Sequence, residues 1–161
     1  MDQYLIRDIY IDDYKQVTDI YNSNRQFLQE HLGAELIDEE FVSEEVLSMS
    51  KMGFHSCVIV DREKQMVQGI LDYRFDKEVY LSLFMLTAVL QGKGNGHDIY
   101  ACFESAMLRR GCDTIRIDVV KDCRGEVFSF WKSLGFLECE NVVLQWGEKK
   151  REAVIMRKKI R

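Results

Sequence analysis

Three strand-patterned runs follow one another across short polar links, and a glycine-rich turn then opens a strongly amphipathic helix. The runs are Cys57–Val60, Met66–Leu71 and Val79–Leu86, joined by Asp61-Arg62-Glu63-Lys64 and by a turn at Asp76-Lys77. Links this short leave adjacent strands antiparallel, whereas parallel neighbours need a crossover of a dozen or more residues. The helix that follows places Ile99, Phe103 and Ala106 on one face and stops at Gly111. A sheet edge therefore runs directly into a turn and a helix start, and the rest of the chain has to be built around that unit.

Upstream, Tyr4–Ile9 alternates as a strand. Asp12 or Asp13 can cap a helix carrying Val17, Ile20 and Tyr21, and Asp38 or Ser43 can cap a second with Phe41, Val42, Val46 and Leu47, ending near Gly53. Downstream, Ile115–Val119 alternates, Glu126–Leu134 reads as a short helix closed by Gly135, and Val142–Trp146 and Ala153–Met156 make a final strand pair. The predicted order is βααβββαβαββ in one domain over residues 1–161: the length suits a single core, and the absence of any proline leaves no marked linker.

Composition narrows the function. A net charge of −5 argues against a general nucleic-acid binder, whose affinity rests on neutralising phosphates. The charge is uneven: residues 1–46 hold three basic residues against twelve acidic ones, and residues 147–161 hold seven basic against two acidic. No apolar run approaches the ~18 residues of a membrane span, and the acidic start lacks a basic, apolar leader, so a cytoplasmic protein without a membrane partner is expected. Five cysteines, an odd number with no CxxC pair, and three histidines without ligand spacing predict free buried thiols and no metal site.

Chemistry concentrates in Gln91-Gly92-Lys93-Gly94-Asn95-Gly96-His97. Between strand and helix, its backbone N–H groups and the helix N-terminus converge on one spot suited to a phosphate. Glycines admit close approach and left-handed backbone, and Lys93 adds a charge. A Walker A loop needs Ser or Thr after its lysine, where Gly94 stands, and the dinucleotide fingerprint needs a third glycine where His97 stands.

Gln91-x-x-Gly94-x-Gly96 resembles the Q/R-x-x-G-x-G/A signature of the GNAT superfamily of acyl-CoA-dependent N-acyltransferases, and Phe130-Trp131-Lys132-Ser133-Leu134-Gly135-Phe136 resembles that family's L/F-Y-x-x-x-G-F element. The element order matches from first strand to last. The resemblance implies an α/β fold, a mixed sheet of about seven strands with splayed central strands flanked by about four helices. It implies acetyl-CoA as acyl donor, direct transfer to a primary amine in a ternary complex, and an acceptor that is a small-molecule or protein amine. Family members are often homodimers.

Carried onto this chain, the resemblance puts the pantetheine arm along Leu83–Leu86 and the pyrophosphate on the amides of Gln91, Gly92, Lys93, Gly94, Asn95 and Gly96, with Lys93 and His97 nearby. The N–H of Leu86, or of Phe84, polarises the thioester carbonyl. The strand glutamate common in the family is missing: the closest register offers Tyr80 or Ser82, with Glu78 at the strand start and Asp72 on the preceding strand. Trp131 replaces the usual tyrosine acid and packs on the acyl-pantetheine or in the core, which leaves Ser129, Ser133 and Cys123 as substitutes. Arg124 stands where many members have asparagine and could reach a phosphate. The acidic stretch Asp12–Met52 forms an acceptor wall suited to a cationic amine, with Tyr21, Asn22, Asn24, Arg25 and Phe27 at the first helix exit. The alternative reading is an acyl-CoA-binding sensor with little catalysis.

Overall fold

A computed structural model describes residues 2–121, 125–146 and 148–161. Its strands are β1 (Tyr4–Asp8), β2 (His55–Asp61), β3 (Met66–Phe75), β4 (Val79–Leu86), β5 (Thr114–Val120), β6 (Leu137–Trp146) and β7 (Lys149–Lys159). The longer helices are α1 (Tyr14–Ser23), α2 (Glu39–Lys51), α3 (Asn95–Arg109) and α4 (Gly125–Ser133). All seven strands form one sheet in the order β1-β2-β3-β4-β5-β7-β6, antiparallel except for β4 beside β5.

Of the two cap candidates for α2, Asp38 does the work: its Oδ1 accepts the Phe41 N–H at 2.9 Å. Asp13 is used differently from the expected cap. Its carboxylate turns back to accept the Tyr10 N–H at 2.8 Å and takes the Arg7 guanidinium on both oxygens at 2.8 and 2.9 Å, pinning the turn between β1 and α1. Strands β3, β6 and β7 run longer than their apolar cores suggest, because backbone pairing continues through charged residues such as Arg74, Glu138 and Lys158. Of the cysteines, Cys57 is buried, Cys102 and Cys112 are half-buried, and Cys139 is exposed where β6 shifts register. The expectation of uniformly buried thiols is corrected to that extent.

Two cores sandwich the sheet. One face packs Leu71, Leu81, Ile117 and Met156 under Ile99 and Phe103 of α3 and Trp131 of α4; the other packs Val58, Ile70 and Met85 under Val17, Ile20 and Tyr21 of α1 and Val42 of α2. Leu81 and Leu83 serve opposite cores although they lie two residues apart, a spacing that in a regular strand points to one face. The cause is a bulge: Tyr73 pairs with Leu81 and Asp72 with Leu83, so Ser82 is the extra residue. Beyond it, β4 and β5 part. They pair only at Val79 with Ile115 and Tyr80 with Arg116, and a gap opens along Leu81–Leu86.

Candidate active site

The free edge of β4 defines the site. In an antiparallel ladder, residues alternate between pairs that exchange backbone hydrogen bonds and pairs that do not. The Thr87 N–H donates to the Gln68 carbonyl at 2.8 Å, so Met85 and Leu83 also face β3, whereas Phe84 and Leu86 aim their N–H and C=O groups into the gap. The structure thus turns both N–H groups named from the sequence toward the opening. The Phe84 ring lines its wall, with centroids 6.2 Å from Phe130 and 5.8 Å from Trp131.

Above the gap, β4 passes through a short turn at Ala88–Leu90 into the glycine segment and the 15-residue α3. Gly92 and Gly94 hold φ of 75° and 84°, and a Cβ at either would meet nothing within 4 Å. Here glycine answers a backbone requirement in open space. Gly96 is glycine for packing, since a Cβ there would press on the Phe130 ring at 3.0 Å. At the start of α3 the His97 N–H closes on the Gly94 carbonyl at 3.2 Å, while the preceding amides of Asn95 and Gly96 lie at the positive end of the helix dipole.

Several side chains of this segment are spent inside the protein. Asn95 donates to the Leu90 carbonyl at 3.1 Å and accepts the Tyr4 hydroxyl. Gln91 Nε2 donates to Asn24 Oδ1 at 2.6 Å and to the Leu86 carbonyl at 2.9 Å. The Ser133 hydroxyl donates to the Phe130 carbonyl, so its oxygen accepts from His97 Nε2 at 2.8 Å and fixes that tautomer. The Gln91 N–H, expected on the pyrophosphate, is instead spent on the Ala88 carbonyl at 3.2 Å, so the amides of Gly92 to Gly96 and the exposed Lys93 are the groups left to meet an anion. Arg124 and Cys123 lie outside the described residues.

Trp131 settles in the core: it is 8% exposed and its ring meets those of Tyr100, Phe130 and Phe136 at 4.9 to 5.9 Å. Its neighbour Tyr100 keeps a buried hydroxyl, and burial raises its pKa.

Where β4 and β5 part, the α1–α2 face carries a polar cluster. The Tyr80 hydroxyl donates to Asp118 Oδ2 at 3.1 Å, and Arg116 donates to both Asp118 oxygens at 2.9 Å. The Asp118 side chain is 2% exposed. Burial raises the Tyr80 pKa, with the Asp118 charge adding to it. Glu78 is committed elsewhere, with both oxygens on the Arg157 guanidinium at 2.8 and 3.0 Å, below the point where the gap opens. Asp118 was missed in the sequence, although the alternation Arg116-Ile117-Asp118 places it beside Arg116.

On the same face, Tyr21, Glu45, Ser56, Asp72 and Leu83 line a narrow cleft between α1, α2 and the sheet. Asp72 is 7% exposed, and burial pushes its pKa up to about 6 against the opposing effect of the Ser56 hydrogen bond. Tyr21 is buried against Phe27 and Phe41, with centroids at 6.3 and 5.9 Å, and burial raises its pKa. Asn22 holds the Ile37 backbone through both N–H and carbonyl, and Asn24 bridges to β4, so both amides act as braces. Arg151 of β7 donates to the Glu30 carbonyl and brings the β6–β7 hairpin over to the segment that follows α1.

No family profile and no curated protein matches this sequence. Solved structures do. A spermidine N-acetyltransferase from Vibrio cholerae, in complex with CoA and spermine, superposes with a TM-score of 0.75 at 13% identity, over 98% of this chain and 95% of that one. An acetyltransferase from Thermus thermophilus reaches 0.73 at 16% identity over 99% of both chains. A ribosomal-protein-alanine N-acetyltransferase from Brucella melitensis reaches 0.68 at 20% identity, over 96% of this chain and 99% of that one. With seven strands in one mixed sheet and superposition over nearly the whole chain, this chain has the fold of the GNAT N-acetyltransferases.

Proposed function

We propose that the protein transfers an acetyl group from acetyl-CoA to a primary amine, by direct attack in a ternary complex. The observation that carries this reading is the open edge of β4, with the Phe84 and Leu86 N–H groups turned into the gap directly below the amides that begin α3. An acyl-pantetheine arm can pair with that edge as an added strand while its pyrophosphate takes the helix start. The similar fold of a spermidine N-acetyltransferase in complex with CoA and spermine, and of a ribosomal-protein-alanine N-acetyltransferase, supports the same reaction class.

In this reading the Leu86 N–H, or that of Phe84, faces the thioester oxygen, which gains a full negative charge as the amine nitrogen attacks the carbonyl carbon. A donor lost from such a position costs about 2.7–4 kcal/mol. The carbon–sulfur bond then breaks and CoA leaves as thiolate. An amine of pKa near 10.4 is neutral in roughly one molecule in 2,500 at pH 7, so a group is needed to take its proton. We assign this to Tyr80 and Asp118: the carboxylate sits where the strands part and the phenol hydrogen-bonded to it relays the proton. Glu78, held by Arg157, is replaced in that role. Because Trp131 offers no acid, the thiolate, whose thiol pKa is near 8.5, takes its proton from solvent.

The test is titration of acetyl-CoA into the purified protein by calorimetry, followed by a screen of primary amines for thiol release. Micromolar binding lost in Gly94→Asp, which sets a carboxylate in open space at the anion site, is the expected result. Unchanged affinity in that variant overturns the loop assignment. Binding without turnover across cationic amines and N-terminal peptides would favour the sensor reading, for which the absence of a protonatable group at Trp131 is the motive.

A further inference from the structure

The carbonyl of Leu86 belongs to the open edge of β4, yet it is filled. Asn24 Nδ2 donates to it at 3.1 Å from the exit of α1, and Gln91 Nε2 donates to it at 2.9 Å from the start of the glycine segment. The two amides are also bonded to each other, Gln91 Nε2 donating to Asn24 Oδ1, and Asn24 Nδ2 is further anchored on the Ile20 carbonyl at 2.8 Å in the last turn of α1. Ser23 reinforces the junction by accepting the Ala88 N–H at 3.1 Å. On its other side, the peptide that carries the Leu86 carbonyl donates its Thr87 N–H to Gln68. Leu86 is thus fixed from both flanks, while its own N–H and the backbone groups of Phe84 have no strand beside them.

We propose that Asn24 and Gln91 are positioning residues that set the register of the acyl-pantetheine arm on β4. This inference rests on the acyl-CoA reading above. An edge with several free carbonyls lets an incoming chain pair at more than one step, because successive outward-facing residues recur every second position along a strand. Filling the topmost carbonyl removes that step. An incoming amide N–H can then pair with the Phe84 carbonyl, and the incoming carbonyl beside it with the Leu86 N–H, which sets one depth in the gap. The same two side chains fasten this register to α1, so the acceptor wall and the donor edge share one clasp. Reaction rates respond steeply to such placement, since a misplacement of about 1 Å can cost on the order of a hundredfold.

Backbone hydrogen exchange read by NMR tests the proposal without knowledge of the acceptor. In the wild type, acetyl-CoA should slow exchange of the Leu86 N–H at least tenfold. In Gln91→Ala and Asn24→Ala, with acetyl-CoA at saturating concentration, that protection should fall by more than threefold. Protection at Leu83 and Met85, which face β3, should be unchanged and reports that the strand is intact. Gln91 is exposed, so its variant serves if Asn24→Ala does not fold. Equal Leu86 protection in wild type and variants overturns the register proposal alone. A wild type that binds no acetyl-CoA by calorimetry overturns the function reading and this inference with it.

Discussion

Asp118 and Asp72 are both buried carboxylates on the α1–α2 face, and their surroundings give them opposite characters. Asp118 is matched by Arg116, which donates to both of its oxygens, and by the Tyr80 hydroxyl. If it and Tyr80 handle the amine proton, Asp118→Asn should lower kcat by about 10²–10⁴-fold with little change in acetyl-CoA affinity, and Tyr80→Phe should lower it in the same direction. Steady-state kinetics beside calorimetry checks this, and an unchanged kcat in both variants rejects the assignment. Asp72 has a hydroxyl partner in Ser56 and, among the described residues, no ion pair. Its folded-state pKa of about 6 lies above the ordinary carboxyl value, so the folded chain binds that proton more tightly than the unfolded chain. The resulting stability is fully present below pH ~4 and lost as pH rises through about 6, a penalty on the order of 2–3 kcal/mol above it. Asp72→Asn should therefore be more stable than wild type at pH 8 by about 1–2 kcal/mol, with the advantage vanishing toward pH 4. Urea denaturation at the two pH values measures it. Neither character was legible in the sequence, because burial and partners belong to the folded environment.

At the scale of elements, alternation and helical periodicity located nearly every strand and helix, and the glycine segment announced its own position. Asp38 capped its helix as its place before Phe41 suggested. What the sequence hid is the bulge at Ser82, because Leu81-Ser82-Leu83 reads as plain alternation while the two leucines enter different cores. Strand ends carrying Lys, Arg and Glu were hidden as well, since backbone pairing does not require apolar side chains. Gly69 shows how tight the packing around the top of β4 is: a Cβ there would lie 2.8 Å from both Leu86 Cδ2 and the Met85 carbonyl oxygen. Gly69→Ala should destabilise the fold by about 1–3 kcal/mol, since a backbone atom cannot move aside as a side chain does. It should also weaken acetyl-CoA binding by displacing Leu86. Chemical denaturation and calorimetry read the two effects, and a stable variant with unchanged affinity would show that β4 yields at no cost.

Seen whole, the sheet consists of a β1–β4 half and a β5–β7 half joined through two residue pairs of backbone ladder. Side chains make the remaining connection: Leu81 and Val79 share the core beneath α3 and α4 with Ile115 and Ile117, Tyr80 bonds Asp118 on the opposite face, and Glu78 pairs with Arg157 of β7. The gap is thus also a seam in the mechanics of the molecule. Opening along it breaks fewer backbone hydrogen bonds than opening between any other neighbouring strands, so native-state fluctuations of the ligand-free protein should part the halves there first. A molecule lying along β4 and reaching β5 would act as a suture. At a hundred times its dissociation constant it would stabilise the chain by about 2.7 kcal/mol. The melting temperature should therefore climb with acetyl-CoA concentration, and the gain in exchange protection should spread from β4 into β5, the far bank of the seam.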